Sequence, residues 1–166
     1  MGELPPVFKE DGSVTAGNAS QISDGAGALL LASAKAVGRY NLFPIARVLT
    51  RAVVGTDPVL MLDGPISATK KALEMSNGLT LDDMGVIEIN EAFASVVLAW
   101  ARELNPDMEK VNPNGGAIAQ GHPLGATGAI LMTKLIHEMQ RREVQFGLQT
   151  MCIGHGMATA TILERV

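Results

Sequence analysis

Runs of apolar, often β-branched residues alternate along this chain with segments whose apolar positions recur at helical spacing. The runs predict strands at 45–54, 86–89, 145–151 and 157–163. The helically spaced segments predict helices at 66–75, 92–104 and 125–141. We expect the first strand to be central and the last two to be neighbours, because only a short connection separates them. The alternation indicates an α/β fold.

The first part of the chain has a weaker pattern. Residues 5–24 are polar and rich in turn-forming residues, which is typical of an extended surface arm. Residues 25–36 are apolar and fit either a buried strand over 28–31 or a helix. We favour a strand followed by a short helix, since glycine and proline in 38–44 then interrupt the pattern.

Residues capable of chemistry fall in loops next to the predicted strands. Asn90 follows the strand at 86–89, His122 ends a glycine-rich loop before the last helix, and Cys152 begins the connection between the last two strands. Functional groups in α/β folds gather at strand ends and loops. An amide, an imidazole and a thiol beside bare glycine backbone are the groups that an acyl-transfer site needs.

Each of these residues also has a purely structural interpretation. Asn90 could cap the helix that follows it, and Cys152 could be a small buried apolar residue. Glu91 fits a partner of a neighbouring loop better than a base. His155 could line the site or simply tolerate a loop conformation, whereas His137 lies on a polar helix face and is expected to be solvated.

Composition narrows the classes of partner. Charged residues make up 18% of the chain against a usual share of about 25%, so we expect a large interface with a partner. A net charge of -4 without a Lys/Arg block disfavours nucleic acid, and no apolar stretch is long enough to span a membrane. The first residues of the sequence lack the pattern of a secretory signal.

A single cysteine excludes an internal disulfide and fits a reducing compartment, which favours the cytoplasm. We predict no metal site, because His122, Cys152 and His155 lack the compact spacing of zinc ligands.

Four motifs resemble those of the thiolases, the coenzyme A-dependent acetyl- and acyltransferases. They occur in the family's order, at 15–20, 90–94, 115–128 and 152–154. The resemblance implies a layered βαβαβαββ domain with a mixed sheet at 44–166, the C-terminal half of a thiolase. Residues 1–43 then match the end of the N-terminal half, as an arm, a strand and a short helix. The family's nucleophilic cysteine belongs to that half and has no counterpart here.

The resemblance also implies roles for individual residues. His122 is similar to the donor of an oxyanion hole, and Asn90 to the residue that holds a water as the second donor. Cys152 resembles the acid/base, and Gly154 a backbone donor of a second oxyanion hole. The coenzyme A substrate is expected to lie against residues of two segments: Ala19, Ser20, Ala92 and Phe93. No permanently bound cofactor is implied.

The function that the resemblance implies is thiolytic cleavage or Claisen condensation of 3-oxoacyl-CoA. The chain is expected to be inactive without an N-terminal half and to work in a homo- or hetero-oligomer. Gln21 after Ser20 is similar to degradative thiolases and favours breakdown, as in fatty acid β-oxidation. One alternative is a non-catalytic subunit that binds coenzyme A or serves in assembly. Another is a self-sufficient hydrolase or acyltransferase with Cys152 as nucleophile and His122 as base. His155 stands where the family often has glycine, which bears on loop packing and substrate range.

Overall fold

A computed structural model describes residues 2–166 of the chain. An arm without regular elements comes first, followed by α1 (Ala34–Tyr40). The remaining elements are β1 (Ala46–Gly55), α2 (Gly64–Glu74), β2 (Met84–Ile89), α3 (Ala94–Leu104), a 3₁₀ turn (Met108–Lys110), α4 (Ala117–Gln120), α5 (Thr127–Arg142), β3 (Phe146–Ile153) and β4 (Met157–Arg165). The predicted strands and long helices are all present, with ends shifted by a few residues.

The four strands form one mixed sheet in the order β1-β4-β3-β2. β2 and β3 are parallel, whereas β4 runs antiparallel to both of its neighbours. This confirms an α/β fold with a mixed sheet. β1 lies at the edge rather than in the centre as predicted, because the C-terminal strand β4 inserts between it and β3. The third strand of the expected βαβαβαββ order is reduced to a single bridge between Val111 and Ile87.

Helices cover both faces of the sheet. On one face α2 and α3 pack against β-strand residues, with Trp100 fully buried and its Nε1 donating to Thr69 Oγ1 at 3.0 Å. On the other face Leu135 and Met139 of α5 pack against Val86 and Leu163. Burying an indole or a leucine in this way contributes a few kcal/mol each, and a satisfied indole N–H avoids the cost of an unpaired donor. The sheet edge that carries the candidate site is thereby held in a three-layer core.

The strand predicted at 28–31 is absent. These residues form no regular element and are exposed, and Leu30 keeps 85% of its surface accessible. A strand needs a hydrogen-bonding neighbour, and within residues 2–166 the sheet offers none to this segment. The short helix that follows is correct: α1 is capped by Ser33, whose hydroxyl accepts from the Ala36 N–H at 3.2 Å.

The start of α3 also differs from the prediction. The helix begins at Ala94 rather than residue 92, because the preceding residues pair with the arm: Phe93 bridges to Ala19, and the Ala94 N–H donates to Asn18 O at 2.8 Å. Phe93 is the N-cap residue, and no side chain caps the helix. The interpretation of Asn90 as the cap is therefore wrong.

Candidate active site

Asn90 lies at the carboxyl end of β2. Its backbone N–H donates to Thr150 O of the parallel strand β3 at 3.0 Å, and its side chain is fully buried. Cys152 follows Thr150 by two residues on β3, so the amide and the thiol meet at the same edge of the sheet, and the Asn90 amide acts to lower the pKa of the Cys152 thiol. Carboxyl ends of parallel strands are where α/β proteins place ligands.

His122 reaches the same edge from the loop between α4 and α5. Its backbone N–H donates to Gln21 O of the arm at 2.7 Å. Nε2 of the ring lies 3.4 Å from Asn90 Nδ2, and Nδ1 lies 2.7 Å from Thr127 Oγ1. Burial lowers the pKa of His122, so the imidazole is neutral at pH 7. Three of the four predicted catalytic residues thus share one cluster, linked through the Asn90 amide.

Cys152 as a residue is 7% exposed. Burial raises the pKa of Cys152, while hydrogen bonds from its own backbone N–H and from Asn90 act against that rise. The thiol is protonated at neutral pH.

The fourth predicted residue, Gly154, lies in the exposed turn between β3 and β4. A Cβ added there would meet nothing within 4 Å, so its backbone is open to a ligand. His155 next to it is exposed with φ of 66°, and Gly156 has φ of 77° and accepts from the Thr56 N–H at 2.6 Å. The turn is fixed to the end of β1, and the loop interpretation of His155 fits better than a site residue.

The four residues predicted to contact coenzyme A are neighbours. Ala19 bridges to Phe93, and both the N–H and the hydroxyl of Ser20 donate to Ala92 O at 3.0 Å. The Phe8 ring stands edge-on to Phe93 with 5.6 Å between centroids. The arm therefore forms one continuous surface with the residues that lead from Asn90 into α3.

Glu91 anchors the glycine-rich loop. Its Oε1 accepts from Asn112 Nδ2 at 2.9 Å, and its Oε2 accepts from the Ile118 N–H at 3.1 Å. A Cβ at Gly116 would lie 2.1 Å from Glu91 Cδ, so this glycine leaves the room that the carboxylate occupies. The interpretation of Glu91 as a partner of a neighbouring loop is confirmed.

A buried ion pair supports the same loop from below. Glu88 is fully buried on β2 and pairs with Lys134 Nζ at 3.2 Å, and Lys134 also donates to Gly115 O. Burial raises the pKa of Glu88 to about 7, although Lys134 opposes the rise. The guanidinium of Arg141 lowers the pKa of Glu138 to about 2. Sequence reasoning missed the pair of Glu88 with Lys134, because the two residues are far apart in sequence, whereas Glu138 and Arg141 lie three residues apart on one helix.

Thr127 was also missed. Its hydroxyl contacts the His122 ring from the first turn of α5, and the residue is 3% exposed. A cavity of about 140 Å³ lies between the arm and α5, and its lining includes Thr127 but not Asn90, His122 or Cys152.

No group of three metal-ligating side chains occurs in the described part of the chain. Over the same residues, no helix is both long and apolar enough to cross a bilayer.

Comparison with known proteins gives consistent matches. A family model described as the thiolase C-terminal domain matches residues 42–165, and one described as the thiolase N-terminal domain matches residues 1–35. A steroid 3-ketoacyl-CoA thiolase of Mycobacterium tuberculosis is 55% identical over 166 residues, which are 100% of this chain and 40% of that protein. An acetyl-CoA acetyltransferase of Chromobacterium violaceum is 50% identical, over 99% of this chain and 42% of that protein.

The structural match is equally close. The crystal structure of human mitochondrial 3-ketoacyl-CoA thiolase in complex with CoA has a TM-score of 0.96 and 48% identity to this chain, covering 99% of it and 42% of the human chain. The chain thus spans about two fifths of the length of the curated relatives it matches. By sequence, fold and motif order, it belongs to the thiolase family.

Proposed function

We propose that this chain is the C-terminal part of a thiolase that cleaves or forms 3-oxoacyl-CoA, working with an N-terminal half that carries the nucleophilic cysteine. That half is either a separate chain or part of the same polypeptide. The observation that carries the proposal is the position of one buried amide, Asn90, whose Nδ2 lies 3.4 Å from Nε2 of His122 and which acts to lower the pKa of Cys152. A neutral N–H donor and a thiol acid beside one amide suit a reaction that passes through an enolate of a thioester.

A role in an oxyanion hole explains why an imidazole stands at position 122. Cleavage of a 3-oxoacyl thioester leaves negative charge on a thioester oxygen, and each donor aimed at that oxygen contributes roughly 10²- to 10³-fold in rate. A neutral His122 donates from Nε2. The Asn90 side chain has a buried Oδ1 without a protein partner among the described residues, which suits a site that also binds a water as the second donor.

A protonated Cys152 suits the cleavage direction. The enolate carbon released by the break of the carbon–carbon bond needs a proton, and a thiol with a raised pKa has one to give at neutral pH. The resulting thiolate then takes the proton of the incoming coenzyme A thiol, and the cycle closes. The Gly154 N–H, in its open turn, serves the acyl group on the partner cysteine.

Coenzyme A is the substrate carrier in this proposal, not a permanent cofactor. The pantetheine arm lies along the surface formed by Ala19, Ser20, Ala92 and Phe93, where Phe93 and the arm backbone offer apolar contact. Support comes from the human relative, whose crystal structure contains CoA. A role in β-oxidation follows from the degradative resemblance of Gln21.

Exposed apolar residues support a requirement for partners. Leu30, Leu31, Phe43 and Val59 are each more than 80% exposed, in a chain with few charges to keep such surface soluble. We propose that the N-terminal half and further subunits cover them, with the domain boundary near residue 43. A cytoplasmic location stays a prediction, because the relatives include mitochondrial as well as bacterial proteins.

The test is reconstitution. The chain is co-expressed with the N-terminal half of a thiolase, which supplies the missing nucleophilic cysteine. Thiolysis of acetoacetyl-CoA and of a longer 3-oxoacyl-CoA is then measured as the loss of the enolate absorbance. We expect turnover by the pair and none by either half. A pair that assembles and binds coenzyme A saturably without turnover would instead support the non-catalytic binding or assembly subunit.

A second measurement addresses the hydrolase alternative. Incubation of the chain alone with acyl-CoA, followed by intact-mass analysis, is expected to leave the mass unchanged. An acyl adduct on Cys152 would favour a self-sufficient enzyme with Cys152 as nucleophile, and the proposal would fail.

A further inference from the structure

The Thr127 hydroxyl lies between two possible partners. Its Oγ1 is 2.7 Å from Nδ1 of His122 and 2.9 Å from Pro123 O. A hydroxyl has one proton, so it donates either to the imidazole or to the carbonyl. The residue is 3% exposed, so water does not compete for either position.

The choice decides which nitrogen of His122 carries the proton. If the hydroxyl donates to Pro123 O, it accepts from the ring, Nδ1 is protonated and Nε2 is an acceptor. If the hydroxyl donates to Nδ1, the proton of the neutral ring is on Nε2. Only the second tautomer gives Nε2 a hydrogen to offer to a substrate oxygen.

The Pro123 carbonyl does not need the hydroxyl. It already accepts from the Ala126 N–H at 2.8 Å and from the Thr127 N–H at 2.9 Å, which occupy both of its lone pairs. Nδ1 of His122, in contrast, has the Thr127 hydroxyl as its partner at 2.7 Å. The hydroxyl can therefore donate to Nδ1 without leaving the carbonyl short of a donor.

The other contact of the ring is weaker. Asn90 Nδ2 is 3.4 Å from Nε2, beyond the usual range of about 2.7–3.2 Å for an N–H donor. The contact of Thr127 with Nδ1 lies within that range. Of the two polar neighbours of the imidazole, Thr127 therefore has the larger influence on its proton.

We propose that the Thr127 hydroxyl donates to Nδ1 of His122 and thereby holds the imidazole as the tautomer with its proton on Nε2. Thr127 is a positioning residue: it orients the donor of the oxyanion hole and does not touch the substrate. The functional consequence rests on the proposed thiolase activity, whereas the tautomer itself is a property of this chain. As with the outer partners of metal-bound and catalytic histidines, a hydrogen bond at one ring nitrogen decides the state of the other, but here the ring accepts rather than donates.

The direct test is the ¹⁵N spectrum of the histidine side chains in the labelled chain, in which long-range proton–nitrogen couplings identify the protonated nitrogen. We expect Nε2 of His122 to carry the proton in the native chain and in Thr127→Ser. In Thr127→Val, which replaces the hydroxyl by a methyl of similar size, we expect the proton to move to Nδ1, because Asn90 Nδ2 is then the only nearby polar partner of the ring. A native chain protonated on Nδ1, or a Val variant with an unchanged tautomer, would overturn the proposal.

Thr133→Val is the matched control. Thr133 lies in the same helix and its hydroxyl donates to Ala129 O at 2.8 Å, the same i−4 bond, but it makes no hydrogen bond to His122. The Thr133→Val variant reproduces any effect of removing a helical hydroxyl and is expected to leave the His122 spectrum unchanged. If it moves the tautomer as Thr127→Val does, the change is a helix effect and the proposal fails.

Kinetics of the reconstituted pair give the second readout. Thr127→Val is expected to lower kcat by roughly 10²-fold with little change in the KM for coenzyme A, as expected for loss of one oxyanion donor, and Thr127→Ser is expected to restore most of it. An unchanged kcat in the Val variant would contradict the positioning role. If the pair has no activity at all, the proposed function fails, and the spectrum still decides the tautomer.

Discussion

The Asn90 side-chain nitrogen lies 3.4 Å from Nε2 of His122, and the same amide acts to lower the pKa of the Cys152 thiol. The three groups come from β2, from the loop before α5 and from β3, so the tertiary fold alone brings them together. The amide is fully buried and anchored through the backbone of its strand. It therefore sets the distance between the imidazole and the thiol.

The first prediction concerns the imidazole. In the reconstituted pair, His122→Ala is expected to lower kcat by roughly 10²- to 10³-fold, because one donor to the enolate oxygen is lost. Steady-state thiolysis at saturating coenzyme A measures it. His137→Ala is the control, since His137 is exposed on α5 and makes no contact with the site. Equal losses in both variants would mean that His122 has no specific role.

The second prediction concerns the thiol. Because burial raises the pKa of Cys152 and leaves it 7% exposed, iodoacetamide is expected to alkylate the native chain at pH 7 more than about tenfold slower than the urea-unfolded chain. Cys152 is the only cysteine, so the mass shift reports this site alone. The rate should still be rising between pH 8 and pH 9. A fast native reaction that is independent of pH above 6 would reveal a stabilised thiolate and contradict the acid role.

The regular elements of the core could be predicted from the sequence because their patterns are local. The short β-rich run ending at Ile89 and the helical spacing before Asn105 each specify an element without reference to the rest of the chain. Asn90, His122 and Cys152 could be found because unusual residue types stand beside glycine or strand ends. Their mutual contact depends on which strands pair, and that information was available only through the resemblance to a family.

The failures have one physical cause. Leu30 lies in a segment with strand-like composition, but a strand is defined by its neighbour, and the described part of the chain provides none. Asn90 has the residue type of a cap, yet pairing of Phe93 with the arm delays the helix by two residues. Thr127 resembles any threonine in a first helical turn. Its importance comes from the ring of His122, five residues earlier, whose backbone is held by the arm.

The third prediction tests the loop anchor. Gly116→Ala places a methyl group into the space of the Glu91 carboxylate, with 2.1 Å to its carbon, so the carboxylate or the loop must move. We expect a loss of about 1–3 kcal/mol in the free energy of unfolding, from overpacking and from weakened bonds to Asn112 and Ile118. Urea unfolding followed by circular dichroism measures it.

Gly125→Ala is the matched control for this variant. Gly125 lies nearby, before α5, and a Cβ there would meet nothing within 4 Å. We expect its unfolding free energy to stay within about 0.5 kcal/mol of the native value. Amide hydrogen exchange at Ile118 should accelerate in Gly116→Ala only. If both alanines cost the same, crowding at Glu91 is not the cause.

The last prediction uses the buried carboxyl under the same loop. The folded pKa of Glu88 is raised from 4.5 to about 7, chiefly by burial, with Glu91 and Glu138 adding to the rise and Lys134 opposing it. Between these two pH values the folded chain holds a proton that the unfolded chain has lost, so this group makes stability fall as pH rises. The full change is about 3 kcal/mol, since one pKa unit corresponds to about 1.4 kcal/mol.

Glu88→Gln keeps the shape of the side chain and removes its titration. We therefore expect the unfolding free energy of the variant, minus that of the native chain, to increase by up to about 3 kcal/mol between pH 5 and pH 8. The difference between the variant and the native chain is the informative quantity, because other titrating groups contribute equally to the unfolding free energy of both. His122 loses its proton more readily in the folded chain, and Glu138, with its pKa near 2, is ionised throughout this pH range. Urea titrations at four pH values measure the slope. A difference that stays constant or shrinks with rising pH would mean that Glu88 is ionised in the folded chain and that its pair with Lys134 outweighs the cost of burial.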